Sequence, residues 1–292
     1  MDNLKETNLP NLKLFRRGKV RDVYDLGEHL LVVATDRISA FDYVMKQCIP
    51  NKGKILNKIT VFWFDHTKQI IPNHLITDDL KFFPEECKQY TDQLEDRTML
   101  VKKAQAFPIE FVVRGYIAGS AWKEYQKSGT INGLELPPGL QEFEKLPEPL
   151  FTPSTKETDK HDENITFEKM ANIIGEDYAK YLRDKSIELY LFAQNYIEKK
   201  GLILADTKFE FGLNSNGDVI LIDEALTPDS SRYWAKSTYA VGVEQNNFDK
   251  QVLRDYLLST NWDRNSEPPD LPEEIIQKTL AKYEEAQRII LY

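Results

Sequence analysis

The segment LADTKFEFGLNSNGDVILIDE, residues 204–224, constrains the fold most, because its alternation and turn residues predict two antiparallel strands with one charged face. Successive strand side chains point to opposite sides, so Asp206, Lys208 and Glu210 share one face while Thr207, Phe209 and Phe211 share the other. Asn216-Gly217 favours a type I′ turn, which sets Ser215 opposite Asp218 and brings Glu210 opposite Asp223. Phe211 then faces Ile222 and Leu213 faces Ile220, so an apolar face backs the charged one. Opposed carboxylates on adjacent strands have Cβ atoms about 4.5–5.5 Å apart and repel unless a cation or proton compensates them. Two readings follow: a divalent metal site made by Glu210 and Asp223, or an ordinary hairpin with a solvated charged face. Carboxylates without thiolate or histidine suit Mg²⁺ or Mn²⁺ better than zinc.

The segments before the hairpin read as strand-rich. LKLFRRGKVRDVYDLG and HLLVVATD, separated by a turn at Gly27, predict a hairpin that opens a β-rich lobe. A helix is predicted over Leu56–Gln69. Strands around Thr98–Lys103 and Ile109–Arg114 bracket the link Ala104–Pro108, the expected boundary between lobes 1–108 and 109–292. A short helix with Trp122 and Tyr125 follows, then a Pro- and charge-rich excursion ending at HDENIT. Thr166 is placed to cap a short helix broken at Gly175, and Gly201 stops a longer one whose Leu182, Leu189 and Ile197 read as core. An amphipathic segment near Asp249–Leu258 precedes a terminal helix begun by Pro272. Strands and helices are segregated rather than alternating, which predicts an α+β fold: a β-rich N-terminal lobe and a larger mixed C-terminal lobe.

Charge narrows the partners. Thirty-eight basic against forty-seven acidic residues give a net charge of −9, so a general basic surface for nucleic acid is not expected and any phosphate site must be local. Cys48 and Cys87 have no metal-ligand or disulfide spacing, which fits a reducing compartment. The polar start MDNLKETNLPNLKLF has no secretory pattern and no apolar run is long enough for a membrane span, so a soluble, cytoplasmic protein is expected.

Three motifs could hold anions. RRGKVRD sets Lys19 and Arg21 beside a glycine turn, either as a polyphosphate cradle or as a solvated basic turn. Lys103, near the link, reads as a phosphate-reaching strand lysine or a surface residue. In VVRGYIAGSAW, Arg114 precedes two glycines and Ser120, which opens a predicted helix whose N-terminus favours anions. TPDSSRYW supplies Asp229, Ser230, Ser231 and Arg232, where capping would explain the serines but not the arginine. His161 in HDENI reads as a solvated loop residue, and no Ser/His/Asp or Cys/His nucleophilic arrangement is present.

GKVRDVYDLG, VATDRISAFD, IPNKGKILNKIT, QLEDRTMLVKKA, VVRGYIAGSAWKEYQKSGT, FTPSTKETDKHDENI, LADTKFEFG and IDEALTPDSSRYW occur in that order over nearly the whole chain. Together they closely resemble the SAICAR synthetase family in its single-function form. The resemblance implies an ATP-dependent ligase that joins L-aspartate to the carboxylate of carboxyaminoimidazole ribonucleotide (CAIR), with Mg²⁺, through an acyl phosphate, in de novo purine synthesis. It implies ATP in the cleft between the lobes, a monomer, and ATP, CAIR and aspartate as partners, with neither nucleic acid nor membrane.

Carried over residue by residue, the resemblance implies that Lys19, Arg21 and Lys103 contact ATP phosphates and that Glu110 flanks the adenine. Glu210 and Asp223 would hold the metal. Arg114, Ser120, Ser231 and Arg232 would bind the nucleotide substrate, with Asp206 and Lys208 at its reacting end and Asp206 as the candidate base. Asp36, Arg37, Ser39 and Asp42, with the TPSTK and HDENI segments, would line the aspartate or CAIR pocket. Two competing readings share the acidic pair: a kinase-like phosphotransferase, which here lacks an HRD-type catalytic loop, and a noncatalytic nucleotide-binding protein.

Overall fold

The computed structural model describes residues 3–156 and 163–292. Its strands are β1 (Lys13–Arg17), β2 (Arg21–Asp25), β3 (His29–Ala34), β4 (Arg37–Ala40), β5 (Tyr43–Cys48), β6 (Leu75–Thr77), β7 (Thr98–Lys102), β8 (Gln105–Ala106), β9 (Ile109–Tyr116), β10 (Thr130–Ile131), β11 (Leu134–Glu135), β12 (Lys145–Phe151), β13 (Ser154–Thr155), β14 (Leu202–Leu213), β15 (Val219–Ile222) and β16 (Ser231–Ala235). The helices are α1 (Lys52–Thr67), α2 (Glu85–Lys88), α3 (Thr91–Leu94), α4 (Gly119–Ser128), α5 (Phe167–Ile174), α6 (Glu176–Glu198), α7 (Gln251–Ser259) and α8 (Glu273–Leu291). The predicted α+β segregation holds.

Among the described residues, a five-stranded sheet runs in the order β1-β2-β3-β7-β6. A second sheet is built on β12-β9-β14-β15, with β8 and β16 also on β14 and β13 on β9. The strands on either side of the 104–108 link therefore pair with different sheets, and the link itself contributes β8 to the second. One apolar core runs through both halves, from Val32 and Met99 under the first sheet to Phe209, Leu189 and Ile290 around the second. Cys48 and Cys87 are free and buried. Among the described residues, no helix is long and apolar enough to cross a membrane.

Local chemistry explains most element ends. Thr166 caps α5 by accepting the Lys169 N–H at 3.2 Å. Gly175 and Gly201 adopt positive φ where α5 ends and just past α6. Helix α1 begins earlier than predicted, at Lys52, because the buried Asp36 carboxylate accepts the Gly53 N–H at 2.9 Å.

The hairpin corrects the predicted register by one residue. Glu210 pairs with Ile222, Phe211 with Leu221 and Leu213 with Val219, so Glu210 does not lie directly across from Asp223. The cause is a longer turn. Asn214, rather than Ser215, closes the loop: its Oδ1 accepts the N–H groups of Asn216 and Asp218, both at 2.9 Å, and Gly217 sits at φ 83°.

Candidate active site

Strand β14 lies between β9 on one side and β15 and β16 on the other, and its charged face organises the site. Asp206 stands opposite Arg114 of β9 and opposite Arg232 of β16. Its Oδ2 accepts from Arg114 Nη1 at 3.0 Å and also from Arg232 Nη1. Both guanidiniums are thus fixed by one buried carboxylate, a charge-assisted arrangement that holds their planes. Burial lowers the Arg114 pKa, whereas the Asp206 carboxylate raises that of Arg232.

Arg232 packs over the start of α4. A Cβ on Gly119 would come within 2.5 Å of Arg232 Nη2, and Gly119 has φ 60°, so this close approach and backbone turn favour glycine. Ser120, exposed in the first turn of α4, lies beside it. Asp249 and Arg254, 3.2 Å apart, extend the charge alternation, and Asp249 acts electrostatically on Arg232. Sequence reading missed this pair; Asp249 also accepts the Gln251 N–H at 2.9 Å at the start of α7. Ser231 is turned the other way, its Oγ 2.7 Å from Thr207 Oγ1 on the core face. Ser230 caps its own turn by accepting the Thr227 N–H.

The other end of β14 carries the acid centre. Glu210 is ion-paired with Lys156, and Asp223 Oδ2 lies 2.6 Å from Arg21 Nη2, with Glu224 also within 3.5 Å of that guanidinium. Alternation alone would turn Asp223 away from the Glu210 face. A left-handed φ of 69° re-aims it, a strained conformation for a residue with a Cβ, and one typical of functional sites. Burial, and then the charge of Asp223, raises the Glu210 pKa. Asp223 is held low despite its burial by Arg21, Lys156 and Lys208. Burial also keeps the neighbouring His74 neutral, its pKa pushed down to about 4.

These two carboxylates fit a divalent ion. Carboxylate oxygens are the donors that a hard divalent ion such as Mg²⁺ takes, and among the described residues no group of three or more acidic, histidine or cysteine side chains gathers. Burial is the main reason the Glu210 pKa is raised, with the charge of Asp223 second, and a cation seated between the two would oppose both effects.

Lys208 sits between the two ends, its Nζ 2.5 Å from Glu110 Oε1. Burial opposes its charge, but Glu110 and Glu210 overcome this and raise its pKa. Glu110 also accepts from Ser154 Oγ at 3.4 Å. With a rise of about 3.3 Å per residue, Asp206 and Glu210 are separated by roughly 13 Å along the strand.

The remaining predicted residues lie around the first sheet. Lys19 is 2.5 Å from Asp42, and Lys103 is 2.5 Å from Asp25 at the far end of β2 from Arg21. Arg37 donates to the carbonyls of Lys5, Gly18 and Lys19 and to Asp22, so it clamps the Gly18-Lys19 turn from beneath. Asp36 binds the N–H groups of Leu4 and Gly53 and the Arg97 guanidinium. Both are buried, and these contacts are with the protein itself. Ser39 is half-buried on the β4–β5 hairpin. Asp229 is buried against Lys52, Lys250 and Tyr283. His161 and Asp162 lie outside the described residues.

A model of the SAICAR synthetase family matches residues 14–269. The phosphoribosylaminoimidazole-succinocarboxamide synthase of Geotalea uraniireducens is 55% identical over 281 residues, covering 96% of this chain and 95% of that protein. That of Thermodesulfovibrio yellowstonii is 54% identical over 285 residues, covering 98% and 97%. Among solved structures, SAICAR synthase from Saccharomyces cerevisiae complexed with SAICAR matches with a TM-score of 0.89 at 44% identity, over 98% of this chain and 97% of that one. A SAICAR synthetase in complex with ADP matches with a TM-score of 0.70 at 25% identity, over 94% and 97%.

Proposed function

The chain belongs to the SAICAR synthetase family, and from that membership we propose how its residues carry out the ATP-dependent ligation of CAIR and L-aspartate to SAICAR, ADP and phosphate in purine synthesis. One observation supports the assignment of roles most: a single strand carries an arginine-flanked carboxylate at one end, Glu210 of the acid pair towards the other and Lys208 between them.

In this reading the nucleotide substrate docks at the Arg114, Ser120 and Arg232 end, and the ATP triphosphate lies between the Lys19-Arg21 turn and the Glu210-Asp223 pair. Arg37 serves by holding that turn in shape, and Asp36 by anchoring the start of α1 and the Arg97 guanidinium. Lys103 and Glu110 flank the nucleotide near the 104–108 link, and the cleft runs between a lobe of residues 1–108 and one of residues 109–292. A carboxylate is a poor electrophile. Its oxygen therefore attacks the γ-phosphorus, the bond to ADP breaks, and an acyl phosphate results. The aspartate amine then attacks the acyl carbon, phosphate departs with the C–O bond electrons, and the amine proton is lost to a phosphate oxygen.

Lys208 and Lys156 stabilise the negative charge developing between the two ends, and Arg114 and Arg232 hold the substrate against rotation. Glu210 and Asp223 would hold Mg²⁺, which when bound would supply charge neutralisation at the triphosphate. Asp206 acts by orienting its two arginines, and its candidacy as a base rests on its place at that end of the strand. Ser39 completes the substrate pocket from the β4–β5 hairpin, while Ser231 serves from the core face by holding β16 to β14. We further propose a monomer acting in the cytoplasm on these small molecules, without nucleic acid or membrane.

The test is ADP release with each substrate omitted. A ligase requires both CAIR and aspartate for steady turnover. A kinase-like phosphotransferase would release ADP with one acceptor alone, and a noncatalytic protein would release none.

A further inference from the structure

Glu124 lies on α4 one turn beyond Ser120, on the same side of the helix. Its Oε1 accepts the Asn132 N–H at 2.7 Å and its Oε2 accepts Asn164 Nδ2 at 3.0 Å. Asn132 is buried, with φ 50°, and its Nδ2 donates at 2.8 Å to both Pro153 O and Ile165 O. One amide thus ties Pro153, which precedes Ser154, to Ile165. The two also bond directly, Ile165 N–H to Pro153 O at 3.0 Å. From this base Ser154 reaches Glu110 and Lys156 reaches Glu210.

We propose that Glu124 and Asn132 are positioning residues that fix Lys156 over Glu210 and hold it in register with α4, the helix that receives the nucleotide substrate. The inference rests on the role given above to Lys156. Neither residue touches the reacting atoms. Glu124 matches two donors with two carboxylate oxygens, and Asn132 passes that anchorage to Pro153 and Ile165.

The experiment is a double-mutant cycle on kcat, with Glu124→Gln and Lys156→Ala. A glutamine offers one amide oxygen to two donors, so it breaks half the clasp without changing size. Glu124→Gln is expected to lower kcat roughly tenfold in the wild-type background and less than about twofold in the Lys156→Ala background, with the KM for ATP little changed. Asn132→Gly, which tolerates the positive φ, should show the same non-additivity. Equal fold losses in both backgrounds would assign the clasp a general structural role and overturn the proposal. So would wild-type kcat in both Glu124→Gln and Asn132→Gly. If Lys156→Ala alone keeps wild-type kcat, the role of Lys156 fails first, and the clasp with it.

Discussion

Arg21 Nη2 and Asp223 Oδ2 meet at 2.6 Å, joining β2 of the first sheet to the residue that follows β15 of the second. The contact crosses from one sheet to the other at the acid centre. Burial works against the charge of Arg21, but Asp223, Glu224 and Glu210 more than compensate and raise its pKa. A cationic group is therefore anchored beside the acid pair, where a triphosphate carrying a metal would be bracketed from both sides.

The acid pair should be sensitive to loss of one charge. Asp223→Asn is expected to lower kcat by about a hundredfold or more while circular dichroism stays that of the wild type. Raising the Mg²⁺ concentration should recover part of the loss. Undiminished turnover would remove Asp223 from the metal site.

Lys208 stands between the two ends of the site, so its substitution should affect the reaction more than binding. Lys208→Ala is expected to reduce kcat roughly a hundredfold and to change ATP affinity, measured by calorimetry, far less. An equal loss of both would make Lys208 a nucleotide-binding group instead.

Gly119 leaves room for the Arg232 guanidinium. Gly119→Ala places a methyl group in that space, and the expected result is a KM for CAIR raised about tenfold with the KM for ATP nearly unchanged. Steady-state kinetics with each substrate varied in turn will measure the contrast.

Asp229 predicts an acid-sensitive contribution to stability. Its Oδ2 lies 2.8 Å from Lys52 Nζ and 3.0 Å from Lys250 Nζ, and its Oδ1 accepts from the Tyr283 hydroxyl at 2.6 Å. Burial alone would raise its pKa, but Lys250 and Lys52 outweigh burial and hold it well below the usual carboxylate range. As pH falls, the unfolded carboxyl binds a proton first, so the contribution is present above about pH 4 and declines below it. Asp229→Asn should cost about 3–5 kcal/mol at pH 7 by leaving two lysines buried without their partner. Denaturant unfolding should show the difference from wild type shrinking by roughly 1 kcal/mol at pH 3.

The two faces of β14 were legible in the sequence because strand alternation is strict, and Phe209 and Phe211 are buried as expected. Its pairing was not. Which side chains cap a turn decides the register, and Asn214 captured two N–H groups that a bare Asn-Gly turn does not engage. The conformation of Asp223 was equally hidden, since nothing in the alternation marks a non-glycine residue for positive φ. Arg114, Arg232 and Asp206 were each singled out, yet only the order of β9, β14 and β16 shows that one carboxylate holds both arginines. The partners of Lys156 and Glu224, Glu210 and Arg21, lie far off in sequence, and no local pattern carries such pairings.

The placement of Asp206, Lys208 and Glu210 on one continuous strand has an evolutionary corollary. Inserting or deleting a single residue among them would swap the phenylalanines outward and the charges inward, destroying packing and chemistry at a stroke. The loop at 215–217 lies beyond the last of these side chains, so a change of length there alters the pairing with β15 but leaves their spacing along β14 intact. Natural variants of this enzyme should therefore differ in length at that tip and keep the count between positions 206 and 210 unbroken.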